Sequence, residues 1–170
     1  MRYKLLGNSG LRVSELALGT MTFGQENEDG VADKSTSRKL FHAFIEAGGN
    51  FIDTANDYTG GTSETHLGEF IASTGERDRF IVATKYTANM RSDDPNGGGN
   101  SRKSMVQSVE ASLKRLQTDY IDLLWVHMWD SVTPIEEVMR GRCTDSLRKS
   151  VVYRRVRPPR LGCFPSKHSC

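Results

Sequence analysis

Short apolar runs alternate with longer amphipathic stretches along the first 140 positions, and turn-forming residues separate them. Glu15 to Gly19 reads as a short strand. Asp33 to Gly48 has the helical period, with Leu40, Phe41, Phe44 and Ile45 on one stripe and Gly48-Gly49 as its stop. Phe51 to Asp53 predicts a second strand. The helix after it is expected to begin near Ser63, whose hydroxyl is suited to capping, and to bury Leu67, Phe70 and Ile71 before Gly75. Phe80 to Thr84 is a third strand, followed by a loop rich in Asn, Asp, Pro and Gly over Arg91 to Asn100. Ser101 then caps a helix in which Val106, Val109, Leu113 and Leu116 recur at three- and four-residue steps. Tyr120 to Val126 forms a fourth strand, and Pro134 opens another helix at its first turn.

Strands that alternate with helices, and that are apolar on both faces, belong in a parallel sheet covered by helices. A doubly wound sheet and a (β/α)8 barrel both meet this condition. The segment Leu18 to Gly24 lacks the Gly-x-Gly-x-x-Gly turn of a dinucleotide-binding first unit, which favours the barrel. In a barrel the active site lies at the C-terminal ends of the strands. Four polar residues occupy such positions: Asp53, Tyr58 just beyond it, Lys85 and His127. An acid, a phenol, an amine and an imidazole together suffice to move a proton to a carbonyl oxygen. Taken one at a time, each has a plain reading as well: a structural ion pair, or a hydrogen-bonded surface or core residue.

With 36% hydrophobic and 26% charged residues, the 170-residue chain has the composition of one globular domain. It has neither a membrane-length apolar run nor, at Met1-Arg2-Tyr3-Lys4, the start of a signal peptide, so a cytoplasmic location is expected. A net charge of +2 is too near balance to argue for nucleic acid or an anionic membrane as a partner, and neither is expected. Gly97-Gly98-Gly99 is not followed by the Lys-Ser/Thr pair of a phosphate-binding loop and reads as a surface loop. His42, His66 and His168 have no ligand spacing to any cysteine, and no metal site is expected.

The strings LGNSGLRVSELALGTMTFG, FIDTANDY, GTSETHLGEF, IVATKY and SVEASLKRLQTDYIDLLWVH resemble the aldo-keto reductases, from about Lys4 to Arg140. The resemblance implies a (β/α)8 barrel of the α/β class and NADPH-dependent hydride transfer to an aldehyde or ketone. By position it implies Tyr58 as proton donor, Lys85 and Asp53 as its tuning pair, and His127 as the group that orients the carbonyl. It places first-strand cofactor contacts at Gly19, Thr20 and Met21, with Asp53 beside them, and it makes Met1 to Val13 the hairpin that plugs the barrel floor. The chemistry is consistent: a phenol, with an ordinary pKa of about 10, becomes a useful acid at neutral pH when a cation stabilises its anion. Lys85 is that cation, and Asp53 keeps it ionised. Trp129, past the fourth strand, is expected to wall the substrate, while Trp125 is better placed to fill the barrel.

Beyond Arg140 the composition changes. Residues 141–170 hold all three cysteines and three of the five prolines, and beyond Cys143 seven basic residues face a single acid, Asp145. Expected, then, are the first four β/α units plus a hairpin over residues 1–140, and a basic tail over 141–170. Edge strands left without neighbours favour self-association. The family's hold on the cofactor comes largely from its second half, so NADPH binding should be far weaker than in a full-length reductase. The activity expected is therefore either carbonyl reduction by the intact quartet or, as the alternative, that of an inactive reductase fragment serving as an interaction module. The tail itself has two readings: a native basic segment, or the product of a frame shift near Arg140. With suitable codons, Arg157 to Phe164 reads one frame over as Ser-Ala-Pro-Ala-Trp-Val, which resembles family sequence. The gene sequence around codon 140 tests the shift: reductase-like sequence in a second frame is its expected signature, and the lack of it leaves the native tail.

Overall fold

The computed structural model describes residues 1–24 and 32–141. The basic segment therefore falls outside the described residues from Arg142 onward. Strands β1 (Tyr3–Leu5) and β2 (Arg12–Ser14) form an antiparallel hairpin, with Tyr3 opposite Ser14. Then follow β3 (Ala17–Gly19), α1 (Lys34–Glu46), β4 (Phe51–Asp53), α2 (Thr62–Thr74), β5 (Ile81–Tyr86), α3 (Arg102–Leu116), β6 (Leu123–Val126) and α4 (Ile135–Gly141). The four later strands make one parallel sheet in the order β3-β4-β5-β6. Strictly sequential order is that of a barrel wall, whereas a doubly wound sheet reverses its order at a switch point. The α/β reading as the first four units of a (β/α)8-type barrel with an N-terminal hairpin therefore holds. Among the described residues β3 and β6 each pair on one side only.

The hairpin sits at the end of the sheet where the strands begin. Asn50, just before β4, accepts from the Ser14 amide at 2.7 Å and donates to the Arg12 carbonyl, while the Tyr3 hydroxyl donates to the Gly48 carbonyl at 2.6 Å. At the same end Arg77 donates to the Phe80 and Tyr120 carbonyls and to Asp122, and its guanidinium lies 3.9 Å from the Tyr120 ring centroid. Burial, and then a hydrogen bond donated to Asp78, push the Tyr120 hydroxyl up to about 12. A cavity of about 570 Å³ beside Arg77, lined also by Lys114 and Asp119, belongs to this end, far along the strands from the quartet.

Several local expectations are corrected. In α1 the core line runs through Ser37, Phe41 and Ile45, one every four residues, which leaves Leu40 about 100° away and 47% exposed. In α3 the buried line is Met105, Val109, Ser112 and Leu116; Val106 and Leu113 flank it. Asp33 and Ser101 do cap, accepting from the amides of Thr36 and Ser104. Ser63 does not. It lies inside α2, whose first residue is Thr62, and its own amide donates to the Thr59 hydroxyl. The Ser63 hydroxyl is buried and donates to the Thr20 carbonyl at 2.7 Å, joining α2 to the end of β3.

The core is aromatic where the helices meet the sheet. Phe41 lies 5.8 Å by centroid from both Phe70 and Phe80, and Phe70 lies 6.4 Å from Phe23. One charge is buried within it. Glu64 of α2 is fully buried, accepts from the Thr84 hydroxyl of β5 at 2.5 Å and pairs with Arg115 of α3 at 2.7 Å. Three elements thus meet on one carboxylate. The helices come this close because residue 68 is glycine: a Cβ there would stand 2.6 Å from the Arg115 carbonyl oxygen. Arg115→Met removes the cation and leaves Glu64 buried beside one hydroxyl, so urea unfolding should report a loss of about 3 kcal/mol. A change within measurement error would show the carboxylate to be satisfied without Arg115.

Candidate active site

Parallel register brings the polar strand ends together. Asp53, the last residue of β4, pairs with Ala83 of β5, and Lys85 lies two residues further on, hence on the same face of the sheet. The Lys85 ammonium donates to Asp53 Oδ2 at 2.6 Å, to the Thr54 carbonyl at 2.9 Å and to the Tyr58 hydroxyl oxygen at 2.9 Å. Three N–H donors thus meet three acceptors. The Lys85 side chain is 14% exposed and that of Asp53 29%, so the pair is partly desolvated. Trp125 is the register partner of Lys85 on β6 and is half-buried.

Tyr58 reaches this cation because the chain reverses just after it. Thr59, Gly60 and Gly61 have φ of 48°, 63° and 91°, three consecutive left-handed residues that turn the backbone from β4 into α2. Thr59 tolerates this conformation while its hydroxyl donates to the Phe23 carbonyl at 2.6 Å and receives the Ser63 amide. His127 follows β6, its amide donating to the Tyr86 carbonyl at 3.1 Å. Its ring stands edge-on to Tyr58, with centroids 5.9 Å apart at 81°. All four residues of the quartet thus share one mouth of the sheet.

The first-strand residues divide. Gly19 and Met21 are exposed at the end of β3, next to Asp53. Thr20 between them is fully buried, its amide and hydroxyl both donating to the Asp53 carbonyl. Its side chain thus ties the loop after β3 to the end of β4. Trp129 is 48% exposed on the loop after β6. That loop is clasped to the one before α3: Asp130 Oδ2 accepts from the Asn100 amide, and the Asp130 amide donates back to Asn100 Oδ1, each at 2.8 Å. Asn100 also donates to the Thr87 hydroxyl and the Met128 carbonyl. Sequence reasoning passed over one group here, Asp57. Its Oδ1 lies 3.5 Å from His127 Nδ1. An acid adjacent to the predicted proton donor was the available signal.

Residues 15–150 match the aldo/keto reductase family. Among curated relatives, the norsolorinic acid reductase stcV of Emericella nidulans is 53% identical over 140 residues, which is 78% of this chain and 36% of that protein. A norsolorinic acid reductase of Aspergillus flavus is 50% identical over 81% of this chain and 37% of its own length. An aryl-alcohol dehydrogenase of Pestalotiopsis microspora is 44% identical over 82% and 38%. The chain thus spans somewhat over a third of these relatives. A solved aldo-keto reductase of Bacillus halodurans, in its holo form, superposes with a TM-score of 0.74 at 30% identity, over 90% of this chain and 50% of that one.

Burial of the Asp130 carboxyl opposes its ionisation, but hydrogen bonds from the Thr133 side chain and from the amides of Thr133, Asn100 and Val132 outweigh this and hold its pKa at about 2. A depressed pKa gives stability that is present above the unfolded value of about 4 and is lost as pH falls through the folded one. Asp130→Asn should therefore be less stable than wild type at neutral pH, and the gap in urea midpoint should shrink between about pH 4 and pH 2. A gap unchanged across that window would count against the clasp.

Proposed function

Since this chain belongs to the aldo/keto reductase family, we propose that residues 1–140 form the proton-transfer wall of an NADP(H)-dependent oxidoreductase that reduces an aldehyde or ketone to an alcohol. The observation that carries this is the single ammonium of Lys85 bonded at once to Tyr58 and Asp53. Because the Tyr58 oxygen accepts from Lys85, its own O–H is left to point outward at a ligand oxygen. As that proton leaves, the phenolate forms 2.9 Å from a fixed positive charge, with no rearrangement needed to stabilise it. Asp53 balances the charge and holds the amine in place. His127 orients the carbonyl oxygen toward Tyr58 from the other side.

The residues suit a nicotinamide cofactor, which would supply the hydride to the carbonyl carbon. Asp53 gives Oδ2 to Lys85, and among the described residues its other oxygen remains to accept from a ribose hydroxyl. Gly19 and Met21 are open beside it, and Thr20 steadies them from behind. These few groups would be the segment's contribution to holding the cofactor, and by themselves they should bind NADPH weakly. The names of the relatives, together with exposed Met128 and Trp129 at the mouth, support an aryl carbonyl as substrate.

Turnover of an aromatic aldehyde, followed by the loss of NADPH absorbance, tests the reading. Tyr58→Phe should lower kcat by about 10²- to 10⁴-fold while leaving cofactor affinity, read by fluorescence titration, unchanged. Lys85→Met should do the same. Undiminished turnover in Tyr58→Phe would remove Tyr58 from its role.

A further inference from the structure

Two shielded polar atoms face each other at the mouth of the sheet. His127 Nδ1 and Asp57 Oδ1 are both buried as atoms, neither has a hydrogen-bond partner, and they lie 3.5 Å apart. A carboxylate oxygen only accepts, so a bare Nδ1 would set lone pair against lone pair in a partly desolvated site. A protonated Nδ1 turns the same contact into an attraction. We propose that Asp57 is a positioning residue that keeps a proton on Nδ1 of His127 and so decides what the opposite nitrogen, Nε2, can do. This rests on the reductase reading for its consequence, though not for its geometry. At 3.5 Å the pair stands at the outer limit of a hydrogen bond, close enough for charge and lone-pair alignment to matter.

The other charges nearby are occupied. Lys85 is held by Asp53, Thr54 and Tyr58, and Asp130, on the loop of His127 itself, is held by Asn100 and Thr133. Among the described residues Asp57 is thus the carboxylate that faces the ring. With Nδ1 protonated, the neutral ring presents a lone pair at Nε2, which accepts from the hydroxyl of an alcohol. The doubly protonated ring presents N–H there, which donates to a carbonyl oxygen. One proton then selects which member of the redox pair the site holds, while Tyr58 remains the group that gives its proton to the reduced oxygen.

Long-range proton–nitrogen correlation spectra of the ¹⁵N-labelled chain, without cofactor or substrate, read this directly. His127 signals are assigned by their loss in His127→Asn, and His42 and His66 serve as internal references. In wild type at neutral pH His127 Nδ1 should carry the protonated-nitrogen signal. In Asp57→Asn the amide offers an N–H to that nitrogen, and the signal should move to the Nε2–H tautomer; Asp57→Glu should restore it. A bare Nδ1 in wild type, or an Asp57→Asn spectrum identical to wild type, overturns the proposal. The wild-type spectrum decides by itself if the variant does not fold. Turnover plays no part in this readout, so a failure of the Tyr58→Phe experiment bears on the reductase reading alone.

Discussion

The ammonium of Lys85 is the constraint around which the rest is arranged. An ammonium 14% exposed has given up most of its water, and acceptors around it must replace those hydrogen bonds. Here three do so: Asp53 at the end of β4, the Thr54 carbonyl next to it, and Tyr58 just before the turn. The geometry tolerates little slippage. A shift of one residue between β4 and β5 would carry the Lys85 side chain to the opposite face of the sheet.

Much of the surrounding structure reads as protection of that register. Thr20 ties the end of β3 to Asp53, Ser63 ties α2 to Thr20, and Glu64 ties α2 to both β5 and α3. Each of these is a short polar side chain, or a buried charge, at the point where a strand hands over to a helix. The left-handed run Thr59-Gly60-Gly61 belongs to the same scheme, because it places Tyr58 over the ammonium and immediately starts the helix that carries Ser63 and Glu64. Tyr58 and its supports thus occupy seven consecutive positions.

The sheet and the quartet were legible because they obey simple periods. Apolar runs bounded by turns gave the strands, and polar residues at strand ends gave Asp53, Lys85 and His127. What escaped was set by rotation and by contacts across the fold. Leu40 and Val106 satisfy a helical stripe as well as Ser37 and Met105 do, and only the angle at which each helix meets the sheet decides between them. Ser63 looks like a cap because serine usually caps, but Thr59 does that work and the buried Ser63 hydroxyl turns inward. The burial of Thr20 was not legible from the chain, and Asp57 went unnoticed because His127, which it faces, is seventy positions away in the chain.

The chemistry attributed to the site needs only three neighbouring strands. β4 supplies the acid and leads into the phenol, β5 supplies the amine, and β6 leads into the imidazole. Their relative positions are set by parallel hydrogen bonding between adjacent strands, which is local, whereas a dinucleotide extends across much of a barrel's rim. Proton handling and cofactor grip are therefore separable properties of this architecture. The geometry that the first requires is set by register within one wall, and the ties at Thr20, Ser63 and Glu64 lie in that same wall. The contact of Tyr58 with Lys85 is made entirely by residues of this wall, and a fixed charge of that kind is what the proposed proton transfer would draw on.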